Sequence, residues 1–566
     1  MKKLLYLLIG ISFISTLAGC GGNEIADKIY LHGVIITVDN ENSTAQAIAV
    51  KDGKILAVGT DADIEKLKGN STIVVDLEGK TLVPGFIDGH SHFGLRSEKS
   101  VNVEAPPVGI VTDIPTLIAE LKKFKEENNI KSGEWITARG YDPDQLAEHR
   151  HPTKDDLDTA FPNNPVAVTH TSGHMVVVNS YALKLSDIHA GTSDPDGGVI
   201  VRKPNSNEPN GLLQESAGRL LKRPRSRELS YEEKLGLLEE AQLFYASNGL
   251  TTAQIGSTGL DFIDFLTKAS KDGKLLIDIE ALASYGVVNK MLENSEYKFG
   301  NLDNHFKIAG FKLISDGSPQ GKTAFFTESY LTEVPGCDHD HCTGVPTVTQ
   351  EHFDKAIYKG YKNNIQTYVH CNGDGAIDMY IHAIHYADSV LNTTSVGRRS
   401  VVIHSQFVRP DQLDTYKELG LVPSFFSNHA FFWGDQHTLN LGKKRASFLS
   451  PLKTAGREGI IATNHTDYGV TPLNQLFLLW TSIARESRTG KIIGENERLT
   501  PIEGLRAITI NGAYQYFEED VKGSIEKGKL ADFVILSENP LTVETVEIKD
   551  IKVMETIKEG KTIFKL

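Results

Sequence analysis

Eleven consecutive residues, Leu82-Val83-Pro84-Gly85-Phe86-Ile87-Asp88-Gly89-His90-Ser91-His92, constrain the fold of this chain more than any other stretch. Pro84-Gly85 interrupts the backbone, and Phe86-Ile87 reads as the start of a strand anchored in a core. Side chains alternate across a strand, so His90 and His92 are expected on one face, where they can hold a metal ion between them. If that strand opens a parallel α/β barrel, the pair sits at the C-terminal end, where loops build active sites. Alone, H-x-H more often marks two partly buried, packed histidines.

A chain of 566 residues is too long for one simple core but suits a barrel with loop insertions and a small companion domain. The formal charge of −14, with no basic block, gives no electrostatic case for nucleic acid; a small-molecule substrate is expected. Lys2-Lys3 precedes an apolar run over 4–17 that ends in Leu17-Ala18-Gly19-Cys20. This is the pattern of a secretory signal over 1–19 with a lipoprotein cleavage box, and the run is short for a spanning helix. Cys20 is therefore the expected lipidation site, tethering the protein to a membrane of a bacterial cell envelope and facing outside the cytoplasm. The competing reading is an uncleaved anchor with an incidental cysteine. Cys337, Cys342 and Cys371 are too few for a disulfide scaffold, so the core has to be hydrophobic.

After the short Gly21-Gly22-Asn23 linker, β-rich pieces occupy 28–38, 45–50, 54–58 and 71–76, and the style returns at 532–536 and 551–563. The fold class expected is α/β: a (β/α)8 TIM-like barrel over 81–520, inserted into a small β-sandwich made by 25–80 plus 521–566. Candidate barrel strands are short apolar runs followed by turns, at 86–92, 250–255, 276–283, 309–315, 366–370, 401–404, 421–425 and 460–465. The interval of about 94–248 is too long for one crossover, so an insertion facing the substrate is expected there, with helices such as 114–128.

The remaining ligand candidates share one position, the end of a barrel strand. His370 closes Thr367-Tyr368-Val369, His404 closes Val401-Val402-Ile403, and Asp467 follows Ile460-Ile461-Ala462-Thr463. Lys312 lies inside Phe311-Lys312-Leu313-Ile314, where an unpaired charge is expensive. Taken with Pro84 to His92, this ordered set resembles the amidohydrolase superfamily. Within it, the chain resembles the branch containing N-substituted formamide deformylase in Phe311-Lys312-Leu313-Ile314-Ser315-Asp316-Gly317-Ser318, His370-Cys371-Asn372-Gly373-Asp374 and Gly173-His174 followed by Asn179-Ser180-Tyr181-Ala182-Leu183. Gly140-Tyr141-Asp142 and the stretch from His151 to Asp158 share its wording too.

The resemblance implies roles. His90 and His92 would bind the more buried of two divalent ions, His370 and His404 the more exposed, and a carboxylated Lys312 would bridge them. Asp467 would ligate metal, orient the attacking water and take its proton as general base, then serve as acid toward the leaving amine. One or two Zn2+ ions suit such donors, and Mn2+, Fe2+ or Ni2+ would fit as well. Hydrolysis of a non-peptide amide or N-formyl bond is the expected reaction. Deaminase and esterase or lactonase chemistry use the same scaffold, and a non-catalytic envelope protein binding metal or ligand is the alternative from another class. Mononuclear deaminases of the superfamily usually place a glutamate where this chain has Gly373, which ranks deamination lower.

His174 is a candidate to contact substrate or polarise its carbonyl, and Asp142 with Tyr141 to line the pocket or a turn. The eighth-strand stretch reads Asn464-His465-Thr466-Asp467-Tyr468, where a serine often directly precedes the aspartate, and His465 is an extra polar group near the site, a residue supporting the ligands from behind or a loop residue. Cys337-Asp338-His339-Asp340-His341-Cys342 reads as a solvated loop, a disulfide loop or a metal site. Cys371 reads as packing, and Glu518-Glu519-Asp520 as a solvated helix end.

Overall fold

A computed structural model of the protein describes residues 24–95, 100–223, 228–337 and 340–566. The 1–19 leader and Cys20, together with Asp338 and His339, lie outside the described residues.

Eight parallel strands form one curled sheet in the order Thr463–Asn464, Val422–Phe425, Val401–His404, Gln366–Cys371, Phe306–Ile314, Asp278–Ser284, Leu250–Thr258 and Phe86–Ile87. All eight expected runs are present, with shifted edges. The first is the most altered, because the ladder stops at Ile87 and the segment carrying both histidines leaves the sheet. Asp88 causes this by accepting from the Thr466 backbone N–H at 3.1 Å and the Thr466 hydroxyl at 2.5 Å. The bonds draw the first strand's end onto the eighth. Gly89 makes the approach possible, since a Cβ there would lie 2.6 Å from Thr463 Oγ1 and 2.9 Å from Ser424 Oγ. Helices such as Gln350–Lys362 and Asp374–Leu391 cover the sheet's outer face.

The two ends of the chain meet in a six-stranded sheet in which Phe533–Leu536 runs antiparallel to Thr81–Pro84, with Val534 opposite Val83. A four-stranded sheet of Lys54–Gly59, Ala47–Lys51, Lys28–Leu31 and Ile73–Asp76 faces it. Tyr30, Ile48 and Val50 of one sheet share an apolar cluster with Leu82, Phe533 and Ile557 of the other. Between the first and second strands of the curled sheet lies a six-stranded mixed sheet, ordered Gly198–Arg202, Pro209–Glu215, Met175–Val178, Val166–His170, Ile136–Tyr141 and Val101–Asn102. The helix expected at 114–128 is present as Ile114–Glu127, started by an Asp113 carboxylate that accepts from Thr116 N–H at 2.7 Å. It packs through Leu117 and Leu121 on one face of this inserted sheet.

Glu518 is not the solvated residue that its acidic neighbours suggested. It is buried, with Lys307 at 2.8 Å and Lys522 at 2.6 Å, while Glu519 pairs with Arg399 at 2.6 Å. These belong to a buried charge network at the N-terminal ends of the strands. There Asp278 accepts from Lys522 at 2.7 Å and Lys558 at 2.9 Å, and Lys558 also meets Asp532 at 2.8 Å. The network joins the curled sheet to the terminal one. Charges inside apolar strands are tolerated here because each meets a partner.

Candidate metal centre

Past Ile87 the chain carries His90 and His92 into the C-terminal mouth of the curled sheet, their ring centroids 5.1 Å apart. Strand alternation does not place them, since neither lies in a ladder; side-chain contacts do. Gln254 is the main one. Its amide nitrogen donates to Gly89 O at 3.1 Å, so its oxygen accepts from His90 Nδ1–H at 2.5 Å. That fixes the tautomer and leaves the His90 Nε2 lone pair facing the mouth. Replacing Gln254 with leucine is expected to weaken divalent-metal binding by about tenfold to a hundredfold, measured by competition with a chelator. Unchanged affinity would show that His90 needs no such support.

Asp467 stands opposite. Its Oδ1 is 3.2 Å from His92 Nε2 and 3.7 Å from His90 Nε2. It is buried yet accepts no hydrogen bond. Burial raises the carboxyl, but the His92 imidazole and the nearby His465 and Lys312 outweigh it, holding Asp467 below its usual range and ionised at neutral pH. Its backbone has φ 49°, and that of His404 φ 69°, a left-handed conformation that non-glycine residues adopt rarely and that concentrates at functional sites. Lys312 Nζ lies 3.3 Å from His90 Nε2, and burial pulls its ammonium down to about 7.

The other two histidines converge separately. His404 Nε2 and His370 Nδ1 are 3.1 Å apart, so a proton or a cation has to lie between them. His465 takes the supporting place behind the site. Its Nε2 meets His404 Nδ1 at 3.1 Å and its Nδ1 meets Ser424 Oγ at 2.9 Å, a relay that orients His404 from behind. Two nitrogens on one tetrahedral zinc lie about 3.3 Å apart. The donor pairs His92–Asp467 and His370–His404 are both spaced close to that. His90, His92 and Asp467 together place one ligand atom each within 4.8 Å of one another. Burial drives His90, His370 and His404 well below the usual imidazole range, keeping them neutral as metal ligands require.

All six residues line a cavity of about 1220 Å3 whose opposite wall is the inserted sheet. His174 belongs to that wall, with Nδ1 2.8 Å from Glu215 and its ring 5.1 Å from that of His370. Asp142 does not line the cavity. Its carboxylate accepts from Trp433 Nε1–H at 2.7 Å and from Asp144 N–H at 3.0 Å, a structural role at a turn. Cys371 is fully buried beside Ser315 Oγ, and burial pushes its thiol well up, as packing requires. Cys337 and Cys342 are joined as a disulfide. The residues missed in the sequence are Gln254, Ser424, Asp88 and Glu215; only Asp88, inside the opening motif, carried a signal.

The family model described as Amidohydrolase family matches residues 73–564. N-substituted formamide deformylase of Arthrobacter pascens is 26% identical over 546 residues, covering 95% of this chain and 98% of its own. Putative amidohydrolase YtcJ of Bacillus subtilis (strain 168) is 26% identical over 554 residues, covering 95% and 99%. An uncharacterized metal-dependent hydrolase from Pyrococcus horikoshii OT3 shares the fold with a TM-score of 0.69 at 22% identity, over 92% of this chain and 99% of that one.

Proposed function

The chain belongs to the amidohydrolase family and is a hydrolase of carbon–nitrogen bonds, and on that premise we propose that it cleaves a non-peptide amide or N-formyl group at the His90–His92–Asp467 centre. The observation that carries this reading is Asp467 Oδ1, a buried anionic oxygen with no hydrogen-bond donor but two imidazole nitrogens beside it. His90, His92 and Asp467 would hold one divalent ion, zinc by the chemistry of the donors, and His370 with His404 a second, with carboxylated Lys312 as bridge. Such ions supply an ionised water at neutral pH and polarise the carbonyl under attack. Asp467 takes the proton of the attacking water and passes it to the leaving nitrogen. His174, held by Glu215, contacts the substrate carbonyl from the opposite wall. Deamination through a glutamate at position 373 is disfavoured, because a Cβ there would lie 2.0 Å from Phe325 O.

The curled sheet is read as a (β/α)8 barrel over 81–520, inserted into a sandwich of 25–80 plus 521–566. The Asp88–Thr466 contacts and the bond from Asp467 N–H to His90 O at 3.1 Å join the first strand's end to the eighth's and support it. We place the protein in the cell envelope, anchored through Cys20. The Cys337–Cys342 disulfide favours an oxidising compartment, and no helix of the described residues is long and apolar enough to cross a membrane.

Mass spectrometry of protein purified from membranes without chelator tests these readings together. Native spectra are expected to show two metal ions per chain and one added carbon dioxide, and denatured spectra a chain beginning at a lipid-modified Cys20. One ion without carbon dioxide would remove the Lys312 bridge. Absence of metal after reconstitution would overturn the mechanism, and an unmodified Cys20 the anchor.

A further inference from the structure

The cavity wall opposite the candidate metal centre is patterned along its strands. Arg139 stands opposite Thr169, Thr169 opposite Val176, and Val176 opposite Leu213, a single row across four strands that lines the same cavity as His90, His92 and His370. Two residues further along, alternation returns His174 and Glu215 to the same face, where their backbones bond at 2.7 Å. The row therefore begins beside the reacting centre and runs away from it. Arg139 lies two strands over from His174 and two residues along, which strand geometry puts at about 12 Å.

The Arg139 side chain is half-buried and makes no hydrogen bond or ion pair with any described residue. Nothing in the cavity neutralises it. Of the carboxylates there, Glu215 is held by His174, Asp467 faces His92, and Asp196 is exposed at the rim. A guanidinium stays charged at any physiological pH, and its planar fork matches a carboxylate in two parallel hydrogen bonds. Between this charge and the metal centre the wall carries Thr169 and Thr171 beside the apolar Val176 and Leu213.

We propose that the substrate is an amide carrying a carboxylate on an apolar stem, with Arg139 binding the carboxylate and Thr169, Val176 and Leu213 flanking the stem while the scissile bond lies beside His174. This rests on the carbon–nitrogen hydrolase reading above and adds the chemistry of the substrate's far end.

Calorimetry on the metal-loaded enzyme tests it without turnover. Linear dicarboxylates are titrated against monocarboxylates of matched length, so that one carboxylate occupies the metal centre in both series and the second reads Arg139. The dicarboxylate is expected to bind about tenfold to a hundredfold tighter at the best length, and Arg139→Gln to bring that ratio close to one, with partial recovery in Arg139→Lys. A ratio near one in the wild type, a ratio that survives Arg139→Gln, or one lost only in Arg219→Gln at the exposed mouth, overturns the proposal. Turnover of N-formyl-ω-amino acids against N-alkylformamides separates the two readings. If neither series is cleaved while the dicarboxylate preference holds, the formamide reading fails and the anion subsite stands. Cleavage of both series with equal kcat/KM and no dicarboxylate preference does the reverse.

Discussion

Asp467→Asn is expected to lower kcat by about 10²- to 10⁴-fold, the range for losing a positioned general base. The substitution keeps shape and burial but replaces an anionic oxygen, which sits 3.2 Å from His92 Nε2 without a hydrogen bond, by an amide that cannot take a proton. Metal content has to be measured alongside, because the carboxylate is also a proposed ligand and its loss lowers occupancy. A fall in kcat at restored metal occupancy assigns the proton transfer to Asp467. Turnover within tenfold of wild type at equal occupancy would remove it from that role. The same variant separates enzyme from binding protein, since a scaffold that only holds a ligand would keep its affinity.

Asp278→Ala is expected to destabilise the fold by about 3–5 kcal/mol, the range for removing one partner of a buried charge pair. Its carboxylate serves two buried ammonium groups, Lys522 at 2.7 Å and Lys558 at 2.9 Å, and the His305 ring at 2.7 Å. Without it both lysines are left buried with one fewer anion. Burial raises the Asp278 carboxyl, and Lys522 and Lys558 outweigh that, holding it well below 3.8. The sign follows: its contribution is fully present above the unfolded-state value and is lost only as pH falls through the lower folded-state one. Unfolding in urea at neutral pH checks the magnitude, and a loss below about 1 kcal/mol would mean that water or Glu518 already serves the two lysines. Removing Asp278 should leave metal binding intact, because the network lies at the opposite end of the strands from His90.

Much of the fold was legible in one dimension. The eight curled-sheet strands announced themselves as short apolar runs, and His370, His404 and Asp467 each follow such a run directly. One edge moved at a buried charge. Lys307 lies in a strand that begins at Phe306, earlier than the 309 at which apolar periodicity alone starts it, and its partner Glu518 lies more than two hundred residues away. The inserted sheet shows in the sequence as motif wording, and only its helix is legible as structure.

The candidate site divides the same way. The sequence by itself determined which side chains bring metal-binding chemistry, and that strand ends would gather them, since backbone preference and side-chain type are local properties. Only the tertiary structure decided the rest: that Gln254 turns His90 outward, that His465 stands behind His404, that Asp142 faces Trp433 instead of substrate, and that Arg139 looks across at the centre unpaired. Each of these is a contact between segments far apart in the chain. Pairing and curling of the sheets fix them, and no periodicity within a single segment encodes them.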